Sequence, residues 1–73
     1  MERCWYFVIE SGGKWWVESE GSYLGPFDAP HEAVDGAIRL AEVYGDPAKR
    51  LLVLGPGPEG RIEIVWARDP PPA

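Results

Sequence analysis

The sequence contains almost none of the residues that small proteins use for covalent or metal cross-links. Cys4 is the only cysteine among 73 residues, so an intramolecular disulfide is excluded. His31 is the only histidine, which leaves too few ligands for a zinc site built from cysteine and histidine. Small domains often gain stability from disulfides, metals or oligomerisation. Of these three supports, self-association is the one that the composition leaves open.

Basic residues and long apolar runs are also lacking. Seven lysines and arginines stand against twelve acids, which gives a formal net charge of −5. Because nucleic acids and anionic membranes attract proteins mainly through clustered basic side chains, this charge disfavours both as partners. No apolar run approaches the roughly 20 residues that span a bilayer.

The length and the N-terminal residues indicate one cytoplasmic domain. A chain of 73 residues leaves no room for a second domain, and we place the single α+β domain at residues 1–68. Residues 1–5 lack the basic and then apolar organisation of a signal peptide, and a lone thiol suits a reducing compartment. The proline-rich residues 69–73 have nothing to bury, so we expect a disordered tail there.

Aromatic and β-branched residues are plentiful near the N-terminus, on both sides of a glycine pair. Residues 3–9 and 14–19 are strand candidates that flank the turn at Gly12 and Gly13. Two glycines accept the positive φ angles of a tight hairpin turn. The turn fixes the register of the hairpin and predicts that Ile9 lies opposite Trp16.

The spacing of apolar residues predicts a single helix over Pro30–Tyr44. From Ala33 onward these residues follow the i, i+4, i+7, i+8, i+11 pattern of one helix face. The N-cap is Asp28 or Ala29, and Asp28 is chemically the better of the two because its carboxylate accepts hydrogen bonds from the first amides. Gly45 stands where a left-handed residue ends many helices.

Two more strands are expected after the helix, at residues 49–54 and 61–66, separated by a glycine- and proline-rich loop. The predicted fold is therefore a two-layer α+β domain of order β-β-α-β-β. It has a largely antiparallel four-stranded sheet with one helix packed on one face. The helix joins the second and third strands, which should run in the same direction. If pairing is purely antiparallel, the strand order 2-1-3-4 is one consistent solution.

Both faces of the predicted sheet are apolar, although one helix covers only one of them. Alternation along the strands puts one set on the helix side, with Ile62, Ile64 and Trp66 as partners: Cys4, Tyr6, Val8, Trp15 and Val17. The other side holds the predicted interaction surface, to which Leu52 and Leu54 are candidate additions: Trp5, Phe7, Ile9 and Trp16. Large apolar patches usually mark interfaces. It stays open whether loops or the tail cover this side.

No arrangement of residues typical of catalysis, metal binding or cofactor binding is present. His31 has no nearby nucleophile, and Cys4 has no adjacent histidine to activate its thiol. Glu18 and Glu20 share a strand face, but no further oxygen ligands are patterned near them. We therefore predict a non-enzymatic protein without a cofactor or a metal.

Several turn and core residues resemble a known pattern: Trp15, Val17, Gly25–Asp28, Glu32–Ala33, Ala37, Leu40–Ala41, Gly45, Leu52–Val53 and Gly60–Ile62. In these residues the chain resembles a class of small bacterial and phage domains of unknown function with G-W-x-V, F-x-T-x-x-E-A, L-V-V and G-x-I motifs. Ala29 stands where that class usually has threonine, and Trp16 where it often has a small or polar residue. The resemblance implies the β-β-α-β-β fold and assigns no site.

The segment Tyr23–Asp28 and the helix after it are also similar to the small sheet-plus-helix DNA-binding domains of integrases and related plant factors. Those domains lay a sheet carrying basic and aromatic residues in the major groove. This chain has Trp5 and Trp16, but its strand-associated bases are few and stand among glutamates: Arg3, Lys14, Arg61 and Arg68.

These observations predict a small protein-interaction module that forms a homodimer or binds a protein partner through its aromatic sheet face. Two alternatives from other classes stay open. The first is a nucleic-acid-binding sheet-plus-helix domain, and the second is a small-ligand binder that uses the aromatic surface as a pocket wall.

Overall fold

A computed structural model describes residues 2–72 as one sheet and one helix. The elements in chain order are β1 (Arg3–Ser11), β2 (Lys14–Ser19), β3 (Ser22–Phe27), α1 (Pro30–Tyr44), β4 (Arg50–Pro56) and β5 (Ile62–Arg68). The sheet order is β3-β2-β1-β4-β5, and α1 packs on one face, over β1, β2 and β4. The predicted two-layer α+β class is confirmed.

The predicted four-stranded, largely antiparallel sheet is wrong, because a fifth strand is present and the sheet is mixed. β3 contains Gly25 and Pro26, which are unfavourable in strands, yet it pairs antiparallel with β2. The turn between them is Glu20–Gly21, and both residues have positive φ, 51° and 82°. The extra hairpin reverses the chain once more, so β4 runs parallel to β1. The four predicted strands lie in the order 2-1-3-4 within this sheet.

The β1–β2 hairpin has the predicted register. Ile9 lies opposite Trp16 and Val8 opposite Val17. The turn glycines have φ of 62° and 79°, a conformation that residues with a side chain rarely adopt. The glycine pair therefore determines which residues of both strands share a face.

The helix has its predicted bounds, but its N-cap is Ala29 rather than Asp28. Glu32 Oε1 accepts a hydrogen bond from the Ala29 N–H at 3.1 Å, which satisfies one backbone amide at the helix start. The Asp28 carboxylate turns instead to Lys14, with Nζ and Oδ1 2.5 Å apart. An ion pair thus replaces the expected cap and links the start of β2 to the helix entry.

The helix ends at Gly45, which is extended (φ −68°, ψ 147°) rather than left-handed as predicted. Its N–H donates to the Ala41 carbonyl oxygen at 2.8 Å. A Cβ at this position would collide with that oxygen and with the Leu51 side chain. Glycine is needed here because of close packing and not because of its φ.

The core lies between α1 and the sheet. The helix contributes three fully buried alanines, Ala33, Ala37 and Ala41, one turn apart. Such small side chains let the helix lie close to the sheet, which supplies the bulk: Tyr6, Val8, Val17, Leu51 and Val53. Burying each large aliphatic side chain contributes about 1.5–3 kcal/mol to the free energy of unfolding. This one layer of side chains is therefore the main source of stability of the fold.

β5 presents only one of its three predicted residues to the helix. Val65 is an extra residue in the β4–β5 pairing, a bulge that interrupts the alternation of faces. Trp66 packs against the core as predicted. Ile64 lies opposite Leu54, on the far side of the sheet, and Ile62 follows the same alternation. The assignment of Ile62 and Ile64 to the helix side is therefore wrong.

No helix in residues 2–72 combines the length and the apolar character that crossing a membrane requires. Residues 69–72 belong to no helix or strand. The last residue of the predicted disordered tail, Ala73, lies outside the described residues, and the disorder of this tail stays a prediction.

Candidate functional site

The side of the sheet opposite α1 is apolar across all five strands, and we call it the open face. The register of the strands places these apolar residues on it: Trp5, Phe7, Ile9, Trp16, Tyr23, Leu52, Leu54, Ile62 and Ile64. Loops and residues 69–72 leave parts of this face exposed, since Trp5 is 37% and Ile64 53% exposed, while Phe7, Ile9, Trp16 and Leu54 are half-buried.

The four residues of the predicted interaction surface lie together on two neighbouring strands of the open face. Trp5, Phe7 and Ile9 alternate along β1, and Trp16 lies opposite Ile9 on β2. The rings of Trp5 and Phe7 are nearly parallel, with centroids 6.3 Å apart and an interplanar angle of 15°. The fold thus brings the predicted residues to one face, while their binding role stays a prediction.

The centre of the open face is close-packed although no helix covers it. Leu52 is only 2% exposed and lies outside the helix-side core cluster. Its strand β4 runs between β1 and β5, where Trp5 and Ala67 are its cross-strand partners. Trp5 is the large cross-strand neighbour that helps to shield Leu52, whereas Ala67 on the other side is small.

The polar atom of Trp16 is turned away from the centre of the open face. Its Nε1–H donates to the Ser11 carbonyl oxygen at 3.3 Å. A shallow groove of about 410 Å³ lies beside the ring, lined by Ile9, Ser11, Trp16 and Tyr23. The indole ring consequently contributes apolar surface to this groove.

The open face has little net charge although the protein is acidic. Glu18 is the only acid at a strand position on this face within residues 2–72, and its cross-strand neighbours are Phe7 and Tyr23. Arg3, Lys14 and Arg50 alternate onto the same face.

Two of these three cations have acidic partners. Arg50 Nε is 3.0 Å from Asp69 Oδ1, and Lys14 forms an ion pair with Asp28. The hydrogen bond between Lys14 and Asp28 raises the pKa of Lys14 and lowers the pKa of Asp28. Both groups are therefore ionised at neutral pH, and the charges around the open face nearly cancel.

Three residues of the open face were not predicted from the sequence. Tyr23 belongs to the unpredicted strand, and the signal for it was the two-residue interval Glu20–Gly21 between short runs of strand-forming residues. Ile62 and Ile64 alternate clearly in the sequence, but which face they take depends on the bulge at Val65. A bulge has no strong pattern in a single sequence.

The residues considered for chemistry are dispersed. His31 is exposed at the start of α1, and Cys4 is half-buried on the helix side of the sheet. Glu20 lies in the β2–β3 turn, so the prediction that it shares a strand face with Glu18 is wrong. Within residues 2–72, no three histidine, cysteine or acidic side chains are grouped closely enough to hold a metal ion.

The chain matches no known protein family, and no curated protein or solved structure is significantly similar to it. The resemblance to small bacterial and phage domains accordingly stays a prediction. The geometry and the charge of the open face are the features of this protein that bear on its function.

Proposed function

We propose that this protein is a non-enzymatic interaction module that binds a second copy of itself through the open face. The observation that carries this proposal is an uncovered sheet face with apolar residues from all five strands around a close-packed centre at Leu52. Monomeric proteins rarely expose contiguous apolar patches of more than a few hundred Å².

The size of the open face suits a modest but specific dimer. A five-stranded sheet with strands of about seven residues covers roughly 550 Å² per face at the usual strand spacing and rise. Two such faces bury roughly 1,100 Å², slightly more than the ~1,000 Å² expected of a specific interface. The area therefore reaches the size expected of a specific interface.

The distribution of charge supports self-association as well. Two molecules of formal charge −5 repel each other. Because the charges around the open face nearly cancel, contact through this face brings the fewest acids together. The helix surface, where Glu32, Asp35 and Glu42 outnumber Arg39, stays in solvent.

A twofold axis is the simplest symmetry for this contact, because each copy offers the same surface. The two sheets would stack about 10 Å apart with strands inclined by about 30°. The dimer then has four layers, with the two sheets inside and both helices outside. This arrangement gives each sheet a cover on both faces, as its apolar strands require.

Nucleic-acid binding is the second candidate, and the stacked rings of Trp5 and Phe7 favour it as a platform for bases. Against it, Lys14 and Arg50 are already paired with acids, so few cations are free to replace phosphate counterions. We expect a single-stranded oligonucleotide at low salt to leave the tryptophan fluorescence unchanged. Strong quenching would favour this candidate over the dimer.

Isotope-filtered NMR on a mixture of labelled and unlabelled protein tests the proposed dimer. We expect intermolecular NOEs between the methyl groups of Ile9 and Ile64 and the aromatic rings of the other copy. The methyl groups of Val43, on the outer side of the helix, serve as the control and should show none. Absence of intermolecular NOEs from the open face at millimolar concentration would contradict the proposal.

A further inference from the structure

A second apolar surface lies on the opposite side of the molecule, in a groove between α1 and the edge strand β3. The groove has a volume of about 600 Å³, and its apolar lining includes Leu24, Phe27, Leu40, Val43 and Tyr44. Val43 and Tyr44 are 65% and 80% exposed, although both are large and apolar or aromatic. The helix buries its alanines under it and leaves these two side chains in solvent.

Local packing shapes the floor of the groove. Phe27 ends β3 and lies against α1 at Gly36, where a Cβ would be 2.7 Å from the Phe27 ring. Phe27 also packs against the buried core. The groove floor is thus anchored, while the wall formed by Val43 and Tyr44 is free to contact another chain.

The groove follows one flank of the helix for almost its full length. Its lining residues recur every three or four positions from Glu32 to Tyr44, a span of roughly 18 Å at the rise of an α-helix. A groove of this length with both apolar and charged lining residues matches an amphipathic helix of about three turns.

The charges at the groove are acidic in sum. Glu32, Asp35 and Arg39 line it, and Glu42 follows on the same helix. One carboxylate oxygen of Glu32 already accepts a hydrogen bond from the Ala29 N–H. Among the described residues, Asp35 has no ion-pair partner within 4.0 Å. A cationic side chain on a bound segment would supply this partner.

We propose that this groove binds a cationic amphipathic helix of a partner protein. The helix places its apolar side chains on Leu24 and Val43 and a lysine or arginine beside Asp35. This inference does not depend on the dimer. If the dimer forms through the open face, both grooves lie on its outside, and the assembly presents two equivalent binding sites.

The test uses a fluorescent synthetic helix of leucine and lysine at amphipathic spacing, and a matched peptide in which glutamate replaces every lysine. Fluorescence anisotropy with the full chain measures binding. We expect the lysine peptide to bind and the glutamate peptide not to bind. Equal binding of the two peptides, or no binding of the lysine peptide at millimolar protein, would overturn the proposal.

Two charge variants of exposed helix residues locate the site. Asp35→Lys should weaken binding of the lysine peptide about fivefold, and Arg39→Glu should strengthen it about threefold, as expected for exposed ion pairs. Opposite effects at two exposed positions cannot arise from misfolding. If neither variant changes the affinity, the peptide does not lie in this groove.

Ile64→Glu on the open face is the control for location. It should leave peptide binding unchanged while it dissociates the dimer. Loss of peptide binding in this variant would place the peptide on the open face and overturn the groove proposal. If the protein is monomeric but still binds the lysine peptide, only the dimer proposal is contradicted. The two proposals can therefore fail separately.

Discussion

The two faces of the sheet are built from the same strands and differ in what covers them. On β1, Tyr6 and Val8 point to the helix and are buried, whereas Trp5 and Phe7 point to the open face. Sheets with one solvated face usually alternate apolar and polar residues. β1 and β4 are apolar on both sides, as in sheets that are covered twice. The difference between the faces is therefore one of cover and not of composition.

The largest expected effect comes from emptying the covered face. Leu51→Ala removes a fully buried side chain beneath the helix and should lower the free energy of unfolding by about 2–5 kcal/mol. Urea denaturation at low protein concentration measures it. The matched change on the open face, Ile64→Ala, should cost less than about 1 kcal/mol there. Similar losses for the two variants would break the distinction between the faces.

The next largest effect is expected from Gly36→Ala, which tests how closely the helix packs on the covered face. Replacing glycine by alanine inside a helix normally gains about 1 kcal/mol. At Gly36 the new Cβ meets the Phe27 ring, so we expect a net loss of about 1–2 kcal/mol instead. Phe27→Leu in the same chain should restore the gain, which a double-mutant cycle by thermal unfolding would show.

A third pair of variants compares the open face with the outer side of the helix. Ile64→Glu places a charge in the proposed interface and should convert the dimer to a folded monomer. Tyr44→Glu changes an even more exposed large side chain on the opposite side and should leave the dimer intact. Light scattering after size exclusion reads the mass, and circular dichroism checks the fold. If Tyr44→Glu dissociates the dimer, the interface lies on the helix side of the molecule and not on the open face.

The smallest effect concerns the exposed ion pair at the rim of the open face. The pKa of Asp28 is lowered in the folded protein by its hydrogen bond to Lys14. Its stabilising contribution is thus present above the unfolded pKa, near 3.8, and is lost as the pH falls through the folded value. Asp28→Asn should slightly flatten the decline in melting temperature at acid pH. An unchanged decline would show that the pair contributes nothing measurable.

Elements with strong local signals could be predicted from the sequence. The glycines at 12 and 13 predict the hairpin and its register, and the spacing of the alanines predicts the helix with its bounds. Because register determines which residues share a face, the positions of Trp5 and Trp16 on the open face followed.

The unpredicted features depend on weak or nonlocal signals. The turn at Glu20 places a non-glycine residue at positive φ. Glutamate has no preference for this conformation, so the sequence does not indicate it. Pro26 argues against a strand, but β3 is an edge strand and tolerates a residue without an N–H. Because the predicted fold lacks this strand, it makes β4 antiparallel to β1, whereas the two strands are parallel. The bulge at Val65 arises from pairing with β4 and reassigns Ile64 to the open face.

The most direct test of the account is the solution mass of the unmodified protein by sedimentation equilibrium. If a second copy covers the open face, the mass at micromolar concentrations will be twice the 8.1 kDa of one chain and will fall toward 8.1 kDa on dilution. A mass of 8.1 kDa at every concentration up to the millimolar range would contradict the proposed dimer.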